Sequence, residues 1–257
     1  MGRVSSWSGL GDAYLDSFAT LCGGTIDRLL ADAPGERHPD VGSGTGELAG
    51  RAATLGRKVV AIDADPDMVA MSNVVVPGKV LQAALPDLPF NDDEFDAVTA
   101  NFVINHVADP RASMRELARV TRPGGRVAVT IWPPQPAVWG VLVSGAFSAA
   151  GVAQIASQRL SPELDFERSV DGLRGIAEVA RLEIVRAEEL RWDWEISIDA
   201  LWRGISGGVT TAGQTLRAQT PETQTSVEQE FRRAAQNLTP DGILRLPSAA
   251  AYLLAAA

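Results

Sequence analysis

The chain reads as an α/β protein on an open parallel sheet with helices on both faces, and three features of its 257 residues predict this. Apolar runs alternate with segments of helical spacing as far as residue 132. Lys58-Val59-Val60-Ala61-Ile62 is the continuous apolar run expected of a strand buried on both faces. Asp40-Val41-Gly42-Ser43-Gly44-Thr45-Gly46 sets a glycine turn where a first strand must pass directly into a helix.

Trp7 to Leu30 reads as one or two helices ahead of the sheet, with Tyr14 and Phe18 on one face. The first strand reaches Asp40 through His38-Pro39. Proline cannot donate to a ladder, so this strand should be short or irregular where it begins. After the turn, Leu48, Ala52 and Leu55 recur at helical spacing, and Gly56 is placed to end that helix. Asp63 closes the second strand, and Asp65-Pro66 caps and starts the next helix. Lys79 to Ala83 is the third strand and Phe95 to Ala100 the fourth. Asp109-Pro110 opens another helix, Pro123-Gly124-Gly125 breaks the chain, and Arg126 to Ile131 is the fifth strand. Strands spaced this way need right-handed crossovers, and ligands then bind at their carboxyl ends. Asp40, Asp63, Ala84 and Asn101 fall at such ends.

Beyond Trp132 the character changes. Pro133-Pro134 and Pro136 stop the fifth strand, and Trp139, Leu142, Val143 and Phe147 can share a helix face in a lid over the site. In Arg191-Trp192-Asp193-Trp194-Glu195 charges and indoles alternate, so a strand here puts both indoles on one side, where core filling outweighs ligand binding. Thr220-Pro221 opens a helix with a Val227, Phe231, Ala234, Leu238 stripe that can face the body or a second subunit, and Gly242 to Ala256 holds the last strand. A monomer or homodimer is compatible with this pattern.

Composition narrows the partners. With 46% hydrophobic and 21% charged residues the chain can bury a sizeable core as one elaborated domain. A net charge of -9 with no basic cluster argues against nucleic acid. One cysteine and two histidines 68 residues apart offer neither a disulfide framework nor a zinc site, so no metal is expected. No run reaches the roughly 18 apolar residues that span a bilayer, and the N-terminus lacks a signal-peptide profile; no membrane association and a cytoplasmic location are the expectation. Met1-Gly2-Arg3-Val4-Ser5-Ser6 matches a myristoylation template and Asn237-Leu238-Thr239 a glycosylation acceptor, both read as chance. The acid run Asn91-Asp92-Asp93-Glu94 precedes the fourth strand and reads as a solvated turn.

The glycine turn speaks about the ligand. An acid leading G-x-G-x-G suits a ligand that carries positive charge, and Glu47 stands where the dinucleotide fingerprint G-x-G-x-x-G needs its third glycine. Asp63 lies 17 residues past Gly46. An acid at the tip of the second strand, about 20 residues after such a turn, hydrogen-bonds ribose hydroxyls in folds of this kind.

The turn resembles motif I of the class I S-adenosylmethionine (SAM) methyltransferases. Leu88-Pro89-Phe90, Glu94-Phe95-Asp96, Asn105-His106-Val107, Asp109-Pro110-Arg111 and Arg119-Val120-Thr121-Arg122-Pro123-Gly124-Gly125 extend the likeness, in order and spacing, to the UbiE-like (methyltransferase type 11) group over about residues 36 to 132. The resemblance implies a Rossmann-like sheet, mostly parallel, with the last strand antiparallel between strands five and six. It implies SAM as cofactor and S-adenosylhomocysteine as product. Asp40, Gly42, Gly44 and Gly46 would hold the methionine part, Asp63 and Ala64 the ribose, and Met68, Ala84, Leu85 and Asn101 the remaining wall. An aromatic of the N-terminal segment, here Tyr14, would cover the cofactor. The expected division is 1–35 as a covering helical segment, 36–132 as the SAM-binding core and 133–257 as acceptor-binding insertions with the remaining strands.

Two departures stand out. The group usually has two bulky apolar residues where this chain has His38-Pro39, and an adenine-contacting acid is common where Ala84 stands. Adenine is then left to the Leu85 amide and to packing by Met68. His106 is the one histidine near the expected methyl position; it is a candidate general base, though packing at the start of the Asp109 helix explains it as well. The expected activity is methyl transfer to a small-molecule acceptor, a hydroxyl of a natural product or related metabolite. The alternatives are C-methylation of a quinone-like ring and a non-methylating SAM-fold protein serving as a binding partner or cyclase.

Overall fold

The structure, a computed structural model, describes residues 7, 9–156, 159–239 and 241–257, so the Met1 to Ser6 pattern lies outside the described residues. Seven strands form the sheet: β1 (Arg37–Val41), β2 (Lys58–Asp63), β3 (Val80–Gln82), β4 (Phe95–Asn101), β5 (Thr121–Ile131), β6 (Glu183–Ser197) and β7 (Ile243–Ala256). Their order is β3-β2-β1-β4-β5-β7-β6. The first five strands run parallel, and β7 lies antiparallel between β5 and β6, as the resemblance implies.

The N-terminal segment forms three helices rather than one or two: α1 (Gly11–Leu15), α2 (Phe18–Gly23) and α3 (Ile26–Asp32). Ser17 breaks the first junction with φ -132 and ψ -93. At the second, the Trp192 ring lies so close to Gly24 that a Cβ there would sit 2.3 Å from it. Pro39 has the expected local effect. β1 pairs with β2 from Arg37 to Val41 but meets β4 through Asp40↔Thr99 alone. The expected break at Pro123-Gly124-Gly125 falls inside β5 instead, as a register shift between the pairs Phe95↔Thr121 and Ala97↔Arg126.

Both sheet faces are covered. On one, Met114, Leu117 and Val120 of α6 (Pro110–Val120) and Leu173 and Ile176 of α8 (Val170–Val179) pack on Val98, Val127, Val129 and Leu253. On the other, Leu29 and Leu30 of α3 with Leu48 and Ala52 of α4 (Glu47–Thr54) pack on Val59, Ala61, Ala128 and Tyr252. Each fully buried large side chain here contributes roughly 1.5 to 3 kcal/mol. Leu55 does not join this face: it follows the last turn of α4 and is 63% exposed, with Gly56 in the left-handed conformation after it.

β6 and β7 run on past the last β5 pair, Ile131↔Ala251, through Arg191 to Ser197 and Ile243 to Ala249. This two-stranded wall stands beyond the carboxyl edge of the parallel strands. Against it gather α7 (Val138–Ala149), α9 (Ile198–Ser206), α10 (Thr210–Arg217) and α11 (Pro221–Leu238), with Phe18, Phe147, Trp194, Leu201 and Phe231 in one cluster. Leu142, Val143 and Phe147 share the buried face of α7, with Trp139 packed beside them. The α11 stripe is Val227, Phe231 and Ala235; Leu238, which would have extended it, is 62% exposed at the helix end.

Candidate functional site

A cavity of about 1220 Å³ lies between the carboxyl edge of the sheet and this roof. That exceeds the roughly 300 to 1,000 Å³ of a single small-molecule pocket, so two ligands fit side by side. The glycine turn forms part of its floor, and its three glycines do different work. A Cβ on Gly42 would lie 2.3 Å from Val103, and one on Gly46 would press on Ser72 of α5 (Pro66–Val75); both serve close packing. Gly44, at φ +53, has only the Tyr14 ring within reach, at 3.8 Å, and faces the cavity. The Gly42 and Ser43 amides donate to the Ile62 carbonyl at 2.7 and 2.8 Å, tying the turn to the end of β2.

Asp63 accepts from the Gly44 amide at 2.9 Å and the Asp65 amide at 3.0 Å, and lines the cavity. Burial raises its pKa, with those two amides working the other way. Its remaining lone pairs are available to ligand hydroxyls. Asp65 caps α5 through the Asp67 amide and also accepts from the Trp7 amide at 3.0 Å, while Gly9 donates to Asp67 at 2.7 Å. These contacts bring Trp7 and Tyr14 over the turn, edge to face with centroids 5.3 Å apart. Tyr14 donates to the Cys22 sulfur at 3.4 Å. Ala64, Met68, Ala84 and Leu85 line the wall beyond Asp63.

Asp40 sits apart, on a small side chamber whose walls include Glu47, Thr45 and Leu48. Tyr14, Cys22, Gly42, Gly44 and Asn101 line both spaces, so the chamber adjoins the cavity. Burial pushes the Asp40 carboxyl up to about 7 against hydrogen bonds from Thr99 and the Ala49 amide. One of its oxygens, Oδ2, is buried with no partner among the described residues. Asn101 reaches the same junction, but its side chain is taken: Oδ1 accepts from Thr25 at 2.8 Å and Thr130 at 2.5 Å, and Nδ2 donates to the Cys22 carbonyl at 3.0 Å. It anchors the α2–α3 junction to the sheet and offers a ligand its backbone and surface.

His106 opens onto the other part of the cavity, with its ring edge-on to Trp7 at 5.8 Å. Burial, and then the positive charge of Arg168, lowers its pKa, so the ring is neutral at pH 7. Around it stand residues that the strand-end rule could have found, since Phe102 follows β4 and Trp132 follows β5. Their rings stack with centroids 3.7 Å apart and 12° between planes. Asn105 fixes the Trp132 backbone by accepting from its amide at 2.9 Å and donating to its carbonyl at 3.5 Å. Trp192 adds a third ring at 6.4 and 6.5 Å, whereas Trp194, its partner two residues on, is core. Thr210 lines the roof. No local signal marked it.

Four buried side-chain polar atoms lack a hydrogen-bond partner among the described residues: Asp40 Oδ2, Ser113 Oγ, Trp192 Nε1 and Thr210 Oγ1. Three of the four belong to residues lining the cavity or its chamber, which is the pattern of a site built around polar ligands. The acids Asp63, Asp65, Glu189 and Asp193 also line it, with Arg191 paired to Glu189. The field favours a cation.

Residues 39–129 match the family described as Methyltransferase domain. The demethylmenaquinone methyltransferase of Clavibacter sepedonicus is 38% identical over 117 residues, 43% of this chain and 48% of that enzyme, so the chain spans about half the length of that relative. The demethylmenaquinone methyltransferase of Corynebacterium urealyticum is 32% identical over 189 residues, 71% of this chain and 76% of that enzyme. Among solved structures, the YcgJ protein of Bacillus subtilis superimposes with a TM-score of 0.54 at 21% identity, over 93% of this chain and 98% of that one, a likeness of fold. No helix among the described residues is long and apolar enough to cross a membrane.

Proposed function

Because the chain belongs to the UbiE-like group of class I SAM-dependent methyltransferases, we propose that it methylates a flat, oxygenated aromatic acceptor at a ring carbon. SAM is the cofactor, and the residues present fit it. Gly44 leaves room under Tyr14, Asp63 has lone pairs for ribose hydroxyls, and Asp40 carries a buried oxygen without a partner. In this reading Met68, Ala84 and Leu85 take the adenine, the N-terminal segment covers the cofactor through Trp7 and Tyr14, and the region beyond Trp132 shapes the acceptor space.

The observation that carries the acceptor class is the aromatic wall of Phe102, Trp132 and Trp192 beside the cofactor floor. Phe102 holds a left-handed φ of +57, a conformation costly for a bulky residue, and its amide is locked on the Thr130 carbonyl and hydroxyl. Strain kept at a stacked aromatic supports a ligand-facing role. The names of the relatives favour a ring carbon of a quinol over an isolated hydroxyl.

Bound SAM supplies a methyl group already activated on a sulfonium. The protein's part is to align the acceptor, exclude water and hold the proton that leaves it. His106 is neutral, inside the cavity and without a ring-nitrogen hydrogen bond among the described residues, which supports it as the group that accepts the acceptor's hydroxyl proton and makes the ring nucleophilic. Labelled SAM with 1,4-dihydroxynaphthalene under reducing conditions tests the reading. We expect label on a ring carbon, by mass and NMR analysis. Label on oxygen would restore hydroxyl transfer, and no transfer to any phenol or naphthol would remove the aromatic class. His106→Ala should slow single-turnover transfer about 100-fold or more with unchanged S-adenosylhomocysteine affinity. Because burial lowers the folded pKa, the wild-type rate should fall only on the acid side of the ordinary histidine range, and the mutant should lose that acid limb.

A further inference from the structure

His38 stands where the group usually has an apolar residue, and it is fully buried at the centre of a hydrogen-bonded chain. Arg57 donates from Nη1 to His38 Nδ1 at 2.8 Å and to the Ala33 carbonyl at 2.8 Å, and from Nη2 to the Leu30 carbonyl at 2.6 Å. A guanidinium can only donate, so Nδ1 accepts and the imidazole proton sits on Nε2. Nε2 lies 3.0 Å from Thr99 Oγ1 and therefore donates to it. The hydroxyl keeps one proton of its own, with two acceptors in reach: Asp40 Oδ1 at 3.3 Å and the Pro39 carbonyl at 3.4 Å.

We propose that His38, held by Arg57, is a positioning residue that turns the Thr99 hydroxyl toward Asp40, occupying one carboxylate oxygen and leaving Oδ2 aimed through the side chamber at the α-amino end of the cofactor. The inference rests on the SAM reading of the site. His38 and Asp40 are two apart on β1 and so share a face, and Thr99 is the β4 residue paired with Asp40, which is why a histidine at this position reaches the carboxylate through one hydroxyl. The other ionisable groups around Asp40 are Asp63 at the end of β2, Glu47 on α4, and Cys22 and Tyr14 on α2 and α1. Burial holds the Cys22 thiol up at about 12 and raises Tyr14, so both are neutral and the carboxylates alone compete with Asp40 for positive charge.

The test compares S-adenosylhomocysteine with 5′-methylthioadenosine, which lacks the amino-acid end, by calorimetry between pH 5.5 and 8.5. For the wild type, S-adenosylhomocysteine affinity should fall as pH drops through about 7, where Asp40 takes up a proton, while methylthioadenosine stays flat. Thr99→Val removes a hydrogen bond that holds the Asp40 pKa down, so its midpoint should move up by about one pH unit and S-adenosylhomocysteine should bind about fivefold more weakly at pH 7. His38→Phe should move both in the same direction, and His38→Gln, which keeps one donor and one acceptor, should restore them. Circular dichroism and a thermal melt check each variant, and if His38→Phe does not fold, Thr99→Val and His38→Gln decide. A folded Thr99→Val protein with the wild-type midpoint and affinity overturns the relay. A His38→Gln protein as weak as Thr99→Val overturns the part assigned to His38. If the wild type binds both nucleosides with the same pH dependence, Asp40 does not face the amino-acid end, and if it binds neither, the SAM reading itself falls.

Discussion

In the proposed reading, the cofactor side and the acceptor side of this cavity are made differently. On the cofactor side the contacts come from strand ends and a turn: the Gly42 and Ser43 amides donate to the Ile62 carbonyl, the Gly44 amide donates to the Asp63 carboxylate, the Thr99 hydroxyl of β4 reaches Asp40, and each left-handed position of the turn is a glycine. On the acceptor side the wall is side chains, Phe102, Trp132, Trp192 and Thr210, contributed by four separate segments, and Phe102 and Thr210 hold left-handed conformations without being glycine. The family match covers 39–129, which takes in the glycine turn, Asp63 and Phe102 and leaves out Trp132, Trp192 and Thr210. A ligand of constant chemistry can be held by backbone geometry, whereas a variable acceptor has to be matched by side chains that repack.

Substitutions on the two sides should therefore separate. The largest effect belongs to Gly44→Val, which puts a branched side chain at φ +53 into the space below Tyr14. We expect more than a hundredfold loss of S-adenosylhomocysteine affinity in a folded protein, in line with the loss of backbone contacts to the ligand. Calorimetry that finds wild-type affinity would place the cofactor elsewhere. Next is Trp132→Ala, which deletes one half of the stacked pair. Loss of stacking and apolar contact should raise the acceptor KM about ten- to a hundredfold with the cofactor Kd unchanged. If both constants rise together, the two sides are one coupled surface and the comparison breaks. The smallest is Thr210→Gly. Glycine relieves the strain of a β-branched residue at φ +68, so the melting midpoint should rise by about 2 to 4 °C, a gain that the glycine turn cannot offer because it is already relaxed. A lower midpoint would show that Thr210 supports the fold.

The parallel sheet, the Asp65 and Asp109 caps and the Gly56 helix end were legible because each is written in a short window. Asn101 shows the limit of such windows. Its place at the end of β4 was readable, but its hydrogen bonds to Thr25, Cys22 and Thr130 come from segments tens of residues away and turn a wall residue into an anchor. The Arg191 to Glu195 alternation likewise set both indoles on one side, yet Trp194 went to the core and Trp192 to the cavity, because the wall of β6 and β7 meets the helical roof at one residue and the open space at the other.

By itself the sequence determined the α/β class, the glycine turn and its acids, and the strand ends where a ligand must lie, since strand burial, helix caps and left-handed turns are local properties of the chain. Tertiary structure alone decided what makes up the aromatic wall of the cavity and its roof. Phe102 and Trp132 stack across 30 residues, Thr210 joins them from the roof, and Arg57, His38, Thr99 and Asp40 become one chain only when β1 lies between β2 and β4. Those contacts depend on which elements close over the sheet, and the free energy that selects that closure is shared among many buried apolar residues, none of which carries the information alone.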